Sequence, residues 1–320
     1  MWNKINVILN EKTPVIVESI SYILMEHGAL GLEYNHLDEY IDNDENLFGE
    51  LRELKDPQDT IKAGEICGYF EVEKDLLELQ NKLKQVSQIH RIEISALKAE
   101  DWHKNWMQYY QIEHLSRFIK IVPVWQDYIP KEYEIAVKLD PGIAFGTGNH
   151  QTTRLSSLAL ELVMEEGNRL VDVGTGSGIL SFIAAGLGAS QVLGLDLDPQ
   201  AVQAATDNLV IQDHPRIQKI ISNQAIHFKV NDLLKGIQGP VDLVVANILP
   251  HILVNLFADA SQIIKDKGYL ILSGILIDKG PEIEREIADY PFVMTHKIQA
   301  GNWLTYIYQK NGEGTCKDIS

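Results

Sequence analysis

The chain has 320 residues, enough to bury a sizeable core in one large or two moderate domains. Its 45% hydrophobic and 23% charged shares are ordinary for a globular protein, and no apolar run approaches the roughly twenty residues that span a bilayer, so no membrane partner is expected. The net charge of −17 disfavours direct binding of duplex nucleic acid, and the two scattered cysteines, Cys67 and Cys316, exclude a disulfide framework or a cysteine-built metal cluster.

Residues 1–14 carry neither the apolar core of a signal peptide nor an Arg-rich transit pattern, so a cytoplasmic location is expected. Residues 2–9 (WNKINVIL) predict a strand. Pro14 then opens a helical pattern with Val17, Ile20, Ile23 and Leu24 on one face, stopped by Gly28. Residues 29–34 and 66–72 predict two more strands, separated by an acidic, loop-like stretch over 38–59. A second helix is expected over about 74–88, with Leu76, Leu79, Leu83 and Val86 at helical spacing, followed by an alternating strand over 89–97. The order βαββαβ defines a small α+β, ferredoxin-like domain over residues 1–98.

Over residues 99–125 the composition shifts to an aromatic connector. Trp102, Trp106 and Tyr109 would share a helical face, either touching a substrate or packing between two domains. The remainder, residues 126–320, forms the larger domain. A strand over 133–140 leads into the loop DPGIAFGTGNHQTTR, where Gly142, Gly146 and Gly148 precede the small polar groups of Asn149, His150, Thr152 and Thr153. A helix with Leu155, Leu158, Ala159 and Leu162 follows. The loop has the character of a lid over a binding site, and helix capping is the alternative role of the threonine pair.

The stretch RLVDVGTGSG organises the rest. An apolar strand (Leu170, Val171, Val173) runs into Gly174, Gly176 and Gly178, and then into a helix with Ile179, Leu180, Ile183, Ala184 and Leu187 on one face. Strand, glycine turn and helix open a nucleotide-binding α/β sheet. The next strand ends in Asp196, whose carboxylate can accept bonds from ribose hydroxyls. Asp198-Pro199 begins another helix. A strand over 225–230 ends in Asn231-Asp232, and a buried strand over 241–246 ends in Asn247. A helix from Ile252 to Ile264 closed by Gly268, a strand over 269–272 and a terminal antiparallel pair complete a mainly parallel sheet covered on both faces.

Ligands of such sheets bind beyond the carboxyl ends of the strands, where Gly174, Gly176, Asp196, Asp232 and Asn247 fall. A dinucleotide fingerprint is G-x-G-x-x-G; here the spacing is D-x-G-x-G-x-G, with the extra negative charge of Asp172. That suits the cationic amino-acid end of S-adenosylmethionine better than a pyrophosphate. Asn247 stands where an acceptor amine would lie, offering a side-chain oxygen and an adjoining carbonyl. Methyl transfer by direct displacement is carried largely by proximity and orientation, without nucleophilic residue or metal.

Four segments, LDPGIAFGTGNHQTTR, VDVGTGSGILSFIAAGLGA, LGLDLDPQAV and VVANIL, together resemble the ribosomal protein L-eleven methyltransferase family in order and spacing over most of residues 100–310. The family commonly has threonine where this chain has Asn149, and its residues after ANIL vary from the PHIL seen here. The resemblance implies a seven-stranded, Rossmann-like methyltransferase sheet with S-adenosylmethionine as donor. It implies transfer to lysine and N-terminal amino groups of a large-subunit ribosomal protein, a basic partner that the acidic surface suits, gripped by the N-terminal domain. By motif it puts cofactor contacts on Thr153, Gly174, Asp196 and Asn247, with Gly176 beside them in the turn and Asn247 also facing the acceptor as the catalytic residue. The rival readings are a methyltransferase of another amine, on a nucleobase or small molecule; a dinucleotide oxidoreductase, against which the glycine spacing argues; and a non-catalytic ribosome-binding module.

Overall fold

The computed structural model describes residues 2–10, 14–29, 31–35, 64–71, 76–97, 111–140 and 150–312. The chain divides into two compact units, Met1–Tyr110 and Gln111–Ser320. Among the described residues no helix is long and apolar enough to cross a membrane.

In the first unit the described elements are β1 (Trp2–Leu9), α1 (Pro14–Glu26), β2 (Gly31–Asn35), β3 (Glu65–Glu71), α2 (Leu77–Lys84) and β4 (Ile89–Leu97). The strands form one antiparallel sheet in the order β2-β3-β1-β4, the ferredoxin-like arrangement expected from βαββαβ. Alternation on β1 turns Ile5, Val7 and Leu9 inward, where they meet Val17, Ile20 and Leu24 of α1 and Leu79 and Leu83 of α2. Gly68 of β3 lets α1 lie close, since a Cβ there would stand 3.2 Å from Leu24 Cδ2.

The second unit opens with a small sheet of β5 (Glu113–His114), β6 (Ile119–Pro123) and β7 (Ile135–Leu139), in which β5 is antiparallel and β7 parallel to β6. This corrects the connector drawn over 99–125: residues 111–125 belong to the larger unit and include two strands, while the aromatic residues 102–110 lie outside the described residues. The disguise is Lys120, a charge in the middle of a strand buried along its whole length. Its ammonium is satisfied by the carbonyls of Ser116 (2.9 Å) and Arg117 (3.2 Å) and faces the Glu134 carboxylate at 4.0 Å. A buried cation with that many partners is compatible with a strand; an unpartnered one is not.

Beyond the small sheet come α3 (Gln151–Val163), β8 (Arg169–Val173), α4 (Ile179–Leu187), β9 (Gln191–Asp196), α5 (Pro199–Val210), α6 (Pro215–Ser222), β10 (Ile226–Val230) and β11 (Val241–Asn247). They are followed by α7 (Pro250–Leu253), α8 (Phe257–Ile263), β12 (Ile264–Leu276), α9 (Gly280–Ile287), β13 (Phe292–Ala300) and β14 (Trp303–Lys310). Seven strands make one sheet in the order β10-β9-β8-β11-β12-β14-β13. Only β14 runs against the others in this sheet, as the hairpin partner of β13 inserted beside β12. The direction of strand progression reverses between β8 and β11, and the carboxyl ends of the strands at such a switch point are where sheets of this kind bind ligands.

Apolar residues on successive strand positions serve opposite faces. Leu170, Leu243 and Ile271 meet α3, α4 and α6 on one side; Val171, Val244 and Leu270 meet α7, α8 and α9 on the other. This explains the unbroken apolar runs of β8 and β11. The predicted helix over 252–264 is shorter and broken: α7 passes through a 3-10 turn (Val254–Leu256) into α8, and β12 begins at Ile264. Lys267 at φ +64° bends the start of β12, and Gly268 allows the strand to approach Asp242, whose carbonyl a Cβ would meet at 2.7 Å. Phe182 of α4 and Phe228 of β10 stack edge to face with ring centres 5.7 Å apart. Their rings fill space that Gly178 and Gly194 leave: a Cβ at 178 would stand 2.8 Å from Phe182 Cε2, and one at 194 would stand 2.6 Å from Phe228 Cε1.

Candidate active site

The glycine turn after β8 has φ of +72° at Gly174, +54° at Gly176 and +84° at Gly178, values that glycine alone adopts without strain. At Gly174 the need is also spatial, because a Cβ would collide with Ile248 Cγ2 directly after β11. The two strands that flank the switch point therefore bring Asn247-Ile248 onto the turn.

So many permissive residues in one turn leave its shape to hydrogen bonds. Gly174 and Thr175 both donate their N–H to the Leu195 carbonyl, at 2.8 and 2.9 Å. The Gly176 N–H donates to Asp196 Oδ2 at 2.9 Å, and Asp198 N–H donates to Asp196 Oδ1 at 3.0 Å. An Asp carboxylate has room for about four such bonds, so two acceptor positions remain on this partly exposed group. A vicinal diol needs two acceptors side by side, so the Asp196 carboxylate fits the ribose of a nucleoside cofactor.

Asp172 has a structural part besides its charge. Its side chain is 1% exposed, and Oδ2 accepts the hydroxyls of Thr175 (2.7 Å) and Ser181 (2.8 Å), so it ties the turn to the start of α4. Its Oδ1 is buried without a hydrogen-bond partner among the described residues. Burial pushes the carboxyl up to about 6, with the nearby Asp196 adding to the rise and the two hydroxyls opposing it. A folded pKa above the ordinary 3.8 means that the native chain keeps this proton while the unfolded chain loses it. The associated stability is fully present below about pH 4 and is lost as pH rises through about 6. Asp172→Asn keeps an acceptor for Thr175 and Ser181 and is expected to remove this component, at most roughly 3 kcal/mol, from the pH dependence. Urea unfolding between pH 4 and pH 7.5 measures it, and an unchanged slope in the variant would count against a titrating Asp172.

Asn247 is the last residue of β11 and pairs in register with Ser273 of β12. Gly274, at φ +80°, leaves room beside it: a Cβ there would meet the Ile248 carbonyl at 2.6 Å and lie 3.3 Å from Asn247 Oδ1. Ser273 also reaches the opposite wall, donating to the Thr152 carbonyl at 3.2 Å and pairing with Thr305 Oγ1 at 2.6 Å. Thr153 follows in the first turn of α3, almost fully buried, its N–H on the His150 carbonyl at 3.0 Å. Four of the five residues expected from sequence thus converge at the carboxyl end of the sheet, Asn247 and Gly174 through Ile248, Gly176 and Asp196 directly, while Thr153 is next in the chain to Thr152, whose carbonyl Ser273 meets.

His150, not a threonine, caps α3. Its Nδ1 accepts the Thr152 N–H at 3.3 Å and lies 2.7 Å from Thr152 Oγ1, and its ring stacks edge to face on Trp303 with centres 4.9 Å apart. Burial pushes this imidazole down to about 4, so it is neutral at physiological pH. Ser273, Thr305 and Trp303 had no local signal in the sequence, because their partners lie far away in the chain. The glycine-rich residues 141–149, including Asn149, lie outside the described residues.

A mainly parallel sheet reversing at a D-x-G-x-G-x-G turn, with an acid at the end of the next strand, defines a class I methyltransferase that uses S-adenosylmethionine. The family model for ribosomal protein L11 methyltransferase (PrmA) matches residues 1–311. The chain is 35% identical over 323 residues to the ribosomal protein L11 methyltransferase of Streptococcus equi subsp. zooepidemicus (strain H70), covering 98% of this chain and 97% of the relative. It is 38% identical over 310 residues to that of Streptococcus pneumoniae (strain Hungary19A-6), covering 95% and 93%. Among solved structures, a ribosomal protein L11 methylase from Lactobacillus delbrueckii subsp. bulgaricus is 36% identical with a TM-score of 0.57, over 63% of this chain and all (100%) of that one. The chain belongs to the ribosomal protein L11 methyltransferase family.

Proposed function

We propose that this enzyme methylates lysine side chains and the N-terminal amino group of ribosomal protein L11 in the cytoplasm. The observation that carries the reading is the amide of Asn247, at the switch point, beside a glycine turn that only a bare Cα allows to lie so close to Ile248. When bound, S-adenosylmethionine supplies an electrophilic methyl group on a sulfonium. Asp196 holds the ribose hydroxyls, Gly174 and Gly176 give the cofactor a backbone surface free of side chains, and Thr153 bounds the site from α3. Asn247 touches the cofactor and accepts a hydrogen bond from the incoming amine through Oδ1, which aims its lone pair at the methyl carbon.

A lysine amine, with an ordinary pKa of about 10.4, must lose a proton before attack. His150 is committed through Nδ1 to Thr152, so this ring does not take the proton. The N-terminal unit grips the ribosomal protein, and the acidity of the chain suits a basic substrate.

Incubation with isotopically labelled S-adenosylmethionine and total ribosomal proteins, followed by mass spectrometry, tests the reading. Label is expected on lysine and N-terminal amines of L11, and L11 from cells lacking the enzyme should be lighter by whole methyl increments. Label confined to nucleic acid or to a small molecule would overturn it in favour of another amine acceptor.

A further inference from the structure

We propose that Asn208 is a positioning residue for the donor site, acting through the glycine turn; this rests on the turn's being that site. Asn208 lies in the last turn of α5, is 1% exposed, and uses both ends of its amide. Nδ2 donates to the Ser177 carbonyl inside the turn at 3.0 Å, and Oδ1 accepts the Asp140 N–H just past β7 at 2.8 Å. Four residues on, Gln212 accepts the Lys138 N–H at 3.2 Å and donates to the Lys138 carbonyl at 2.6 Å.

The spacing has a geometric basis. Asn208 in the last turn of α5 and Gln212 just past its end are four positions apart, a separation of about 6 Å when helical against about 6.7 Å for two residues of strand, so the two amides read positions 138 and 140 along the strand edge. Gln212 also donates to the Asn208 carbonyl at 2.8 Å, which closes the C-terminus of α5. Its bonds go to β7 and to the helix, whereas Asn208 alone of the pair reaches the turn. Consecutive peptides of the turn are then held from two sides, Gly176 by Asp196 and Ser177 by Asn208. With positive φ at 174, 176 and 178, where the turn's N–H groups point depends on hydrogen bonds, and these two act on its centre.

Asn208→Asp keeps an acceptor for Asp140 and puts an oxygen against the Ser177 carbonyl. Gln212→Glu removes two donated bonds but none to the turn. Titration of S-adenosylhomocysteine by calorimetry, donor KM, kcat at saturating donor, and Tm are measured for both variants. Asn208→Asp is expected to raise the dissociation constant and the donor KM about tenfold or more while kcat stays within about threefold, as charge-assisted or repelled buried bonds require. Gln212→Glu is expected to lower Tm at least as much and to leave the dissociation constant within about twofold. If Asn208→Asp fails to fold, Asn208→Ala, without the repulsion, carries the same expectation. Wild-type affinity in a folded Asn208 variant, or equal affinity losses in the Asn208 and Gln212 variants, would overturn the proposal. Failure of the wild-type enzyme to bind S-adenosylhomocysteine would instead overturn the donor-site reading beneath it.

Discussion

Asn247→Ala is expected to lower kcat for methyl transfer by roughly 100-fold, the scale of loss when a reacting group is no longer held in line. The dissociation constant for S-adenosylhomocysteine should rise only a few-fold, because the ribose and the glycine turn keep their partners. The reason lies in what β11 delivers: a side chain fixed at the strand end by register with Ser273 and by the space above Gly274. Alanine removes the oxygen that would orient the amine and leaves the backbone in place. Single-turnover kinetics with saturating donor separates the two effects. A kcat within threefold of wild type would remove Asn247 from the catalytic role.

Asp196→Ala should act on the other side of the balance, weakening S-adenosylhomocysteine binding by roughly 100- to 1,000-fold through loss of two charge-assisted hydrogen bonds. Part of that loss is indirect. The Gly176 and Asp198 N–H groups lose their acceptor together, which loosens the turn and the start of α5 at once. Asp196→Asn retains one oxygen and is expected to lose about tenfold, so the pair of variants grades the effect. Calorimetry gives both numbers, and wild-type affinity in Asp196→Ala would show that the diol is bound elsewhere.

The central βαβ unit was readable in the sequence because its signals are local. Leu170 and Val171 serve two faces of the sheet, the glycines sit at alternate positions, and Ile179, Leu180 and Ile183 repeat at helical spacing. The N-terminal unit was readable for the same reason, with Ile5, Val7 and Leu9 alternating against helices one turn apart in period. β6 was not, since Lys120 finds its carboxylate partner 14 positions later on the far side of a loop, Lys120 and Glu134 being 120 and 134 in the chain. α6 escaped as well; it is only eight residues long and buries only Ile217 and Ile220. The amide pair at the end of α5 is the extreme case. Asn208 and Gln212 look like ordinary polar helix residues until β7, 68 to 74 positions earlier, is folded against them. Asp172 was found, but its ties to the turn and to α4 were not legible, because they depend on where Thr175 and Ser181 turn their hydroxyls.

The stacked rings of Phe182 and Phe228 carry a consequence for how this sequence can drift. Their bulk occupies volume surrendered by glycines on two other elements, Gly178 at the head of α4 and Gly194 within β9. A methyl group gained at 194 meets both Phe228 and Thr175 Oγ1 (2.8 Å), so it needs a smaller residue at 228 together with a shift of Thr175, and a smaller residue at 228 in turn leaves Phe182 without its neighbour. Size at 182, 194 and 228 is therefore a shared quantity, while 178 is held to glycine by its φ of +84°. Through divergence it should be exchanged among them in compensated steps, so that the glycine turn keeps its shape.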